Sequence, residues 1–129
     1  CSSDLFFREW FKSADVKNAT GRDFGIEQAN ISLSSKGTLR GIHYSIASRG
    51  QAKWITCVSG SIKDVIVDIC PDSKSFGQWI EVELRGDSGK SIFITEGLGH
   101  GFVAQDGGWR HTRGNRDTPV ECRLGLRDS

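Results

Sequence analysis

The segment Trp79-Ile80-Glu81-Val82-Glu83-Leu84 puts Ile80, Val82 and Leu84 on one side of the chain and Glu81 and Glu83 on the other. A period of two belongs to an extended strand with one dry face and one wet face. The rest of the middle follows suit. Residues 52–58 and 62–69 are rich in β-branched side chains and are separated by Ser59-Gly60-Ser61, a good hairpin turn. Residues 91–95 form another short strand between Gly89 and Gly97. Residues 24–33 and 38–45 add two more, joined by Ser34-Ser35-Lys36-Gly37. Sixteen glycines among short, closely spaced strands argue for an all-β sandwich or barrel. Only residues 8–17 could hold a short helix.

A chain of 129 residues fits one domain with a real core. Its formal charge is +1 with both signs interspersed, so nothing suggests a general nucleic-acid or membrane surface. No apolar run reaches spanning length and no secretory segment opens the chain, so a soluble, cytoplasmic protein is expected. Cys1, Cys57, Cys70 and Cys122 form no C-x-x-C pair, which argues for reduced thiols and against a zinc knuckle. The chain has no methionine even at its start, and so reads as a processed or cut piece or as a translation without a true start. From Gly107 onward come five arginines (Arg110, Arg113, Arg116, Arg123, Arg127) with few apolar residues and no evident period. Asp117, Glu121 and Asp128 dilute that charge. The expected organisation is therefore a β domain over residues 1–106 and an irregular, Arg-rich tail over 107–129.

Chemistry concentrates at Leu39-Arg40-Gly41-Ile42-His43-Tyr44. Strict alternation would put Arg40 and His43 on opposite faces, but Gly41 permits a bulge that brings both toward one cavity. An arginine that can hold an anion beside a histidine that can take a proton is a plausible start for an active site. A metal site of the His-x-His type fails because Ser45 stands where the second histidine is needed, leaving the histidines free for proton transfer. Gly97-Leu98-Gly99-His100-Gly101-Phe102 fails as a phosphate loop, since Phe102 replaces the third glycine and no helix pattern follows. Its glycines instead suit a sharp turn at a strand end that presents His100 to a cavity. Lys53 either sits on a solvated face or points an ammonium into the barrel, where it could stabilise an enolate oxygen. Gln28 and Asn30 share one strand face and either bond a polar ligand or face water.

Taken in order, Gln28-x-Asn30-x-Ser32, Lys36-Gly37-x-Leu39-Arg40-Gly41-x-His43-Tyr44, Gln51-Ala52-Lys53, Gly60-x-Ile62-x-Asp64-Val65-x-Val67-Asp68, Ser75-Phe76-Gly77-x-Trp79 and Gly99-His100-Gly101-Phe102 resemble the dTDP-4-dehydrorhamnose 3,5-epimerase family. The likeness runs from about Phe7 to about Val103. It implies a cupin-like jelly-roll barrel, incomplete at the C-terminus. It also implies a homodimer, no metal, no organic cofactor, and a dTDP-4-keto-6-deoxyhexose substrate in dTDP-L-rhamnose or related deoxysugar biosynthesis. By the family pattern His43 would be the base, Lys53 would stabilise the enolate oxygen and His100 would line the same pocket. Arg40 would hold the diphosphate, whose oxygens suit a planar fork of donors. Gln28 and Asn30 would contact the nucleotide. Phe7 and Glu9 would reach into the partner subunit's site and contact the thymidine.

The chain also departs from that pattern. Ser2, Asp4 and Leu5 stand where the family has Asp, Arg and Gly, and Cys70 stands where it usually has arginine. The family's acid is a tyrosine about a dozen residues beyond His-Gly-Phe. This chain has His111-Thr112-Arg113 there, and its only tyrosine is Tyr44. The aspartate that pairs with the family's base lies beyond the end of this chain. The abrupt loss of pattern after about Gly108 suggests a shifted reading frame or a hybrid, an idea that an Arg-rich tail in the natural frame of the parent DNA would sink. The alternatives to an active isomerase are a module that binds the nucleotide sugar without turnover, and an incomplete barrel that aggregates through uncovered strands.

Overall fold

A computed structural model of the chain describes residues 7–46, 50–106 and 120–128. One helix, α1 (Ser13–Thr20), precedes eight strands: β1 (Phe24–Leu33), β2 (Leu39–His43), β3 (Ala52–Ser59), β4 (Ser61–Asp68), β5 (Trp79–Arg85), β6 (Ser91–Ile94), β7 (Leu98–Asp106) and β8 (Val120–Asp128). They form two four-stranded sheets, ordered β1-β8-β3-β6 and β2-β7-β4-β5, with every pair antiparallel. That order is the jelly roll, and the chain is the all-β, cupin-like barrel that the strand pattern and the resemblance led to expect.

Alternation along each strand divides the sheets into inner and outer faces. Inside, Ile55 and Cys57 of β3, Ile62 of β4, Leu84 of β5, Ile94 of β6 and Phe102 of β7 form one buried cluster. On the outer face of the first sheet, Ala52, Leu124 and Leu126 lie beneath Val16 of α1, with Trp10, Phe11, Trp54 and Phe93 packed around them. This second cluster explains why the helix starts at Ser13 and not at Arg8. Trp10 and Phe11 are drawn flat onto the sheet, where the Trp54 indole N–H donates to the Trp10 carbonyl at 2.7 Å and Phe11 meets Trp54 edge-on at 6.0 Å. Lys12 is accordingly extended, and Gly21, in the left-handed region, ends the helix.

Two strands differ from the sequence expectation. The glycines of Gly97–Phe102 were read as a turn at a strand end, yet Leu98–Asp106 is β7, central in the second sheet. Gly99 and Gly101 are small because β2 lies against them. A Cβ on Gly41, whose φ is 123°, would stand 2.5 Å from the Gly101 Cα. The second difference is β8, which occupies the middle of the first sheet although an irregular tail was expected from Gly107 on. Cys122, Leu124 and Leu126 do alternate, but Glu121 and Arg123 between them masked the period, because the inner face here is polar. His111, Arg110, Arg113 and Arg116 lie outside the described residues, as does Ser2 to Leu5.

Candidate active site

At one end the space between the sheets opens into a cleft of about 140 Å³, lined by Gln28 and Asn30 of β1, His43, Tyr44 and Ser45 at the end of β2, Gln51 and Lys53 at the start of β3, and Arg123 and Gly125 of β8. Register explains this grouping. Gln28 and Lys53 both pair with Gly125, and Asn30 pairs with Arg123, so these side chains share the inner face of the first sheet. The missing side chain of Gly125 makes room for the Gln51 amide between Gln28 and Lys53. A Cβ there would meet the Gln51 side-chain nitrogen at 2.6 Å.

The second sheet delivers the histidines. Arg40 pairs with Phe102 and His43 with His100, two residues apart on β7, so Arg40 and His43 face the same way. The register shift lies between Arg40 and His43, at Gly41, where the bulge was expected. The Arg40 side chain bonds the buried Ser34 hydroxyl at 3.0 Å and lies outside the cleft lining. His100 is fully buried behind His43, with ring centroids 5.9 Å apart, and so is not on the cleft wall itself. Its Nδ1 lies 3.2 Å from one Asp64 carboxylate oxygen and 3.3 Å from the other. Its Nε2 lies 3.3 Å from Arg123 Nη1. Arginine can only donate, so Nε2 must accept. In this arrangement Nδ1–H donates to Asp64.

Lys53 points inward and is 7% exposed, which settles its two sequence readings in favour of the barrel interior. Burial pushes its ammonium below the usual lysine range, and Arg123 adds to that shift. His43 is also pushed down, first by loss of water and then by the positive charge of Arg123, with lesser contributions from Lys53 and Arg40. A neutral imidazole beside a buried ammonium is a base next to an electrophile. Among the described residues no Asp or Glu lines the cleft. Among the described residues no group of three or more His, Cys, Asp or Glu is placed to hold a metal. Phe7 is 94% exposed, and Glu9 makes only a long ion pair with Lys12, so neither reaches this cleft from its own chain.

Sequence reasoning assigned no role to Asp64 or Arg123. The signal for Asp64 was legible: a carboxylate on the inner face of β4 between Ile62 and Ile66. Nothing in the sequence placed Arg123, because its strand was not recognised.

The family model for dTDP-4-dehydrorhamnose 3,5-epimerase matches residues 4–110. The dTDP-4-dehydrorhamnose 3,5-epimerase of Mycolicibacterium smegmatis is 48% identical over 105 residues, which is 81% of this chain and 52% of that protein. The chain thus spans about half the length of the curated relatives it matches. The solved rmlC epimerase of Mycobacterium tuberculosis superposes with a TM-score of 0.78 at 36% identity, covering 94% of this chain and 56% of that one. A 3'-monoepimerase from Streptomyces bikiniensis, solved in complex with dTDP-quinovose, gives 0.78 at 34% identity, covering 91% and 54%.

Proposed function

Because the chain belongs to the dTDP-4-dehydrorhamnose 3,5-epimerase family, we propose that it binds a dTDP-4-keto-6-deoxyhexose in this cleft and removes a proton alpha to the ketone, at C3, C5 or both. The observation that carries this reading is the placement of His43 and Lys53 on strands of opposite sheets, lining one cleft whose described lining has no carboxylate. His43 takes the proton. The C–H electron pair becomes the enolate double bond, and the negative charge moves to the C4 oxygen, where Lys53 receives it. Inversion follows if a proton returns from the opposite face. Gln28 and Asn30 hold the polar part of the ligand at the cleft edge, and Arg40 holds the diphosphate beside it.

In a homodimer, Phe7 and Glu9 of one subunit reach the other's nucleotide, which suits the outward exposure of Phe7. The reaction as proposed uses no metal and no organic cofactor. The protein works in the cytoplasm, and among the described residues no helix is long and apolar enough to cross a membrane.

A second reading, binding without turnover, is favoured by one observation. Arg123 lines the cleft, and arginine holds its protons too tightly to act as an acid. Solvent deuterium incorporation at C3 and C5 of dTDP-4-keto-6-deoxyglucose separates the two, because exchange needs abstraction but not inversion. Exchange is expected, and is expected to vanish in His43→Ala. Exchange that survives this substitution removes His43 from the mechanism, and binding without exchange selects the second reading.

A further inference from the structure

β8 lies wholly beyond the segment that matches the family model, yet it forms the floor of the cleft. Its residue Arg123 projects inward between Asn30 of β1 and Ile55 of β3, its register partners, two residues before Gly125. The arginine has five N–H donors, and one of its nitrogens is engaged by His100. The remaining donors face the same space as Lys53 and His43.

We infer that Arg123 is a further catalytic residue of this chain: it shares the C4 oxygen of the bound 4-keto sugar, and of its enolate, with Lys53. This inference rests on the proposed function. The electrostatics are consistent in kind. An enolate is an anion forming in a partly desolvated cleft, and a fixed guanidinium is already oriented toward it, so no reorganisation is needed as the charge appears. The bond to His100 supplies the orientation. Asp64 accepts the hydrogen bond from His100 Nδ1–H, which leaves Nε2 as the acceptor that holds the Arg123 fork in place.

The groups facing His43 are Arg123 of β8, His100 of β7, Lys53 of β3 and Arg40 of β2, with Asp64 of β4 behind His100. All those that act on His43 oppose its protonation, and Arg123 is the foremost of them. Its removal therefore lets the imidazole keep a proton to higher pH, so the acid limb of the reaction must move upward.

The test measures solvent exchange into dTDP-4-keto-6-deoxyglucose against pH for the full chain and for Arg123→Gln, Arg123→Lys and His43→Ala, with melting temperatures recorded alongside. Arg123→Gln is expected to exchange on the order of 10²-fold more slowly, with its acid limb shifted to higher pH. Arg123→Lys is expected to recover part of the rate and the original limb. A loss of folded protein alone lowers the rate without moving the limb. If Arg123→Gln exchanges at the wild-type rate with the wild-type limb while His43→Ala is dead, the Arg123 inference falls and the proposed function stands. If the unmodified chain does not exchange at all, both fall. A readout independent of turnover is the ¹⁵N shift of the His100 ring: Nε2 is expected to be unprotonated in the native chain, and a protonated Nε2 overturns the orientation described here.

Discussion

Between the two sheets lie two interiors of opposite character, built by the same strands. Two residues along β3 from the buried Ile55 comes Lys53. Along β4 the same step goes from Ile62 to Asp64, and along β7 from Phe102 to His100. The apolar half contains side chains that need only be close-packed, and it fixes the separation of the sheets. The polar half spends that fixed separation on charge, burying the Lys53 ammonium and the His100 imidazole behind the exposed ring of His43. The lesson of the contrast is that the proposed reaction borrows its geometry from a core that takes no part in it.

The largest blow to this contrast is expected from Phe102→Ala, since Phe102 is 2% exposed in the apolar cluster. A loss of about 3–5 kcal/mol should appear as a lower urea midpoint. A loss under about 1 kcal/mol would mean that the cluster refills the cavity and does not set the sheet spacing.

Lys53→Met reverses the roles. It replaces a buried cation at the border of the dry half by an apolar chain, so stability should rise by about 1 kcal/mol while solvent exchange falls on the order of 10²-fold. Unchanged stability and unchanged exchange together would show that the ammonium reaches water and takes no part in the cleft.

The smallest effect belongs to neither interior. Arg22 bonds both oxygens of Glu96, at 2.8 and 3.1 Å, and also Asp128 at 2.6 Å. The guanidinium pulls the Glu96 carboxyl down to about 2. Because the folded state binds that proton less readily than the unfolded state, the stability is present above the ordinary value of 4.5 and is lost as pH falls from there toward about 2. Glu96→Gln should cost about 1 kcal/mol at neutral pH, discounted because Arg22 is partly solvated, and its difference from the native chain should close across that window. A constant difference from pH 7 down to 2 would assign the effect to packing.

The same contrast explains what could be read in the sequence. Strands that serve the apolar half announced themselves, because Val82 and Leu84, or the β-branched runs of β3 and β4, follow the alternation that a dry face imposes, although Ile80 at the start of β5 is left exposed. Strands that serve the cleft were harder. β7 hides its period behind Gly99 and Gly101, which are glycines because β2 presses against them and not because the chain turns. β8 hides its period behind Glu121 and Arg123, which look like solvated charges although Glu121 is buried against the Ser32 hydroxyl and Arg123 lines the cleft. His43, Lys53, Gln28 and Asn30 were identified from their motifs and line one cleft. The Asp64–His100–Arg123 chain was not, since it joins three strands that only register brings together. His100 accordingly sits behind the cleft and not on its wall.

β8, the last strand in sequence, lies between β1 and β3, and β8 is the strand to which β1 is hydrogen-bonded. The pairing joins Phe24 to Asp128, roughly a hundred residues away. Gln28 and Asn30 therefore have no sheet to belong to until β8 arrives, and the loop that must close to bring it there is long and slow to find. During synthesis the ligand-facing edge is the last part of the first sheet to be assembled. The apolar cluster is complete once Phe102 of β7 has been made, whereas the cleft waits for Arg123 and Gly125 of β8.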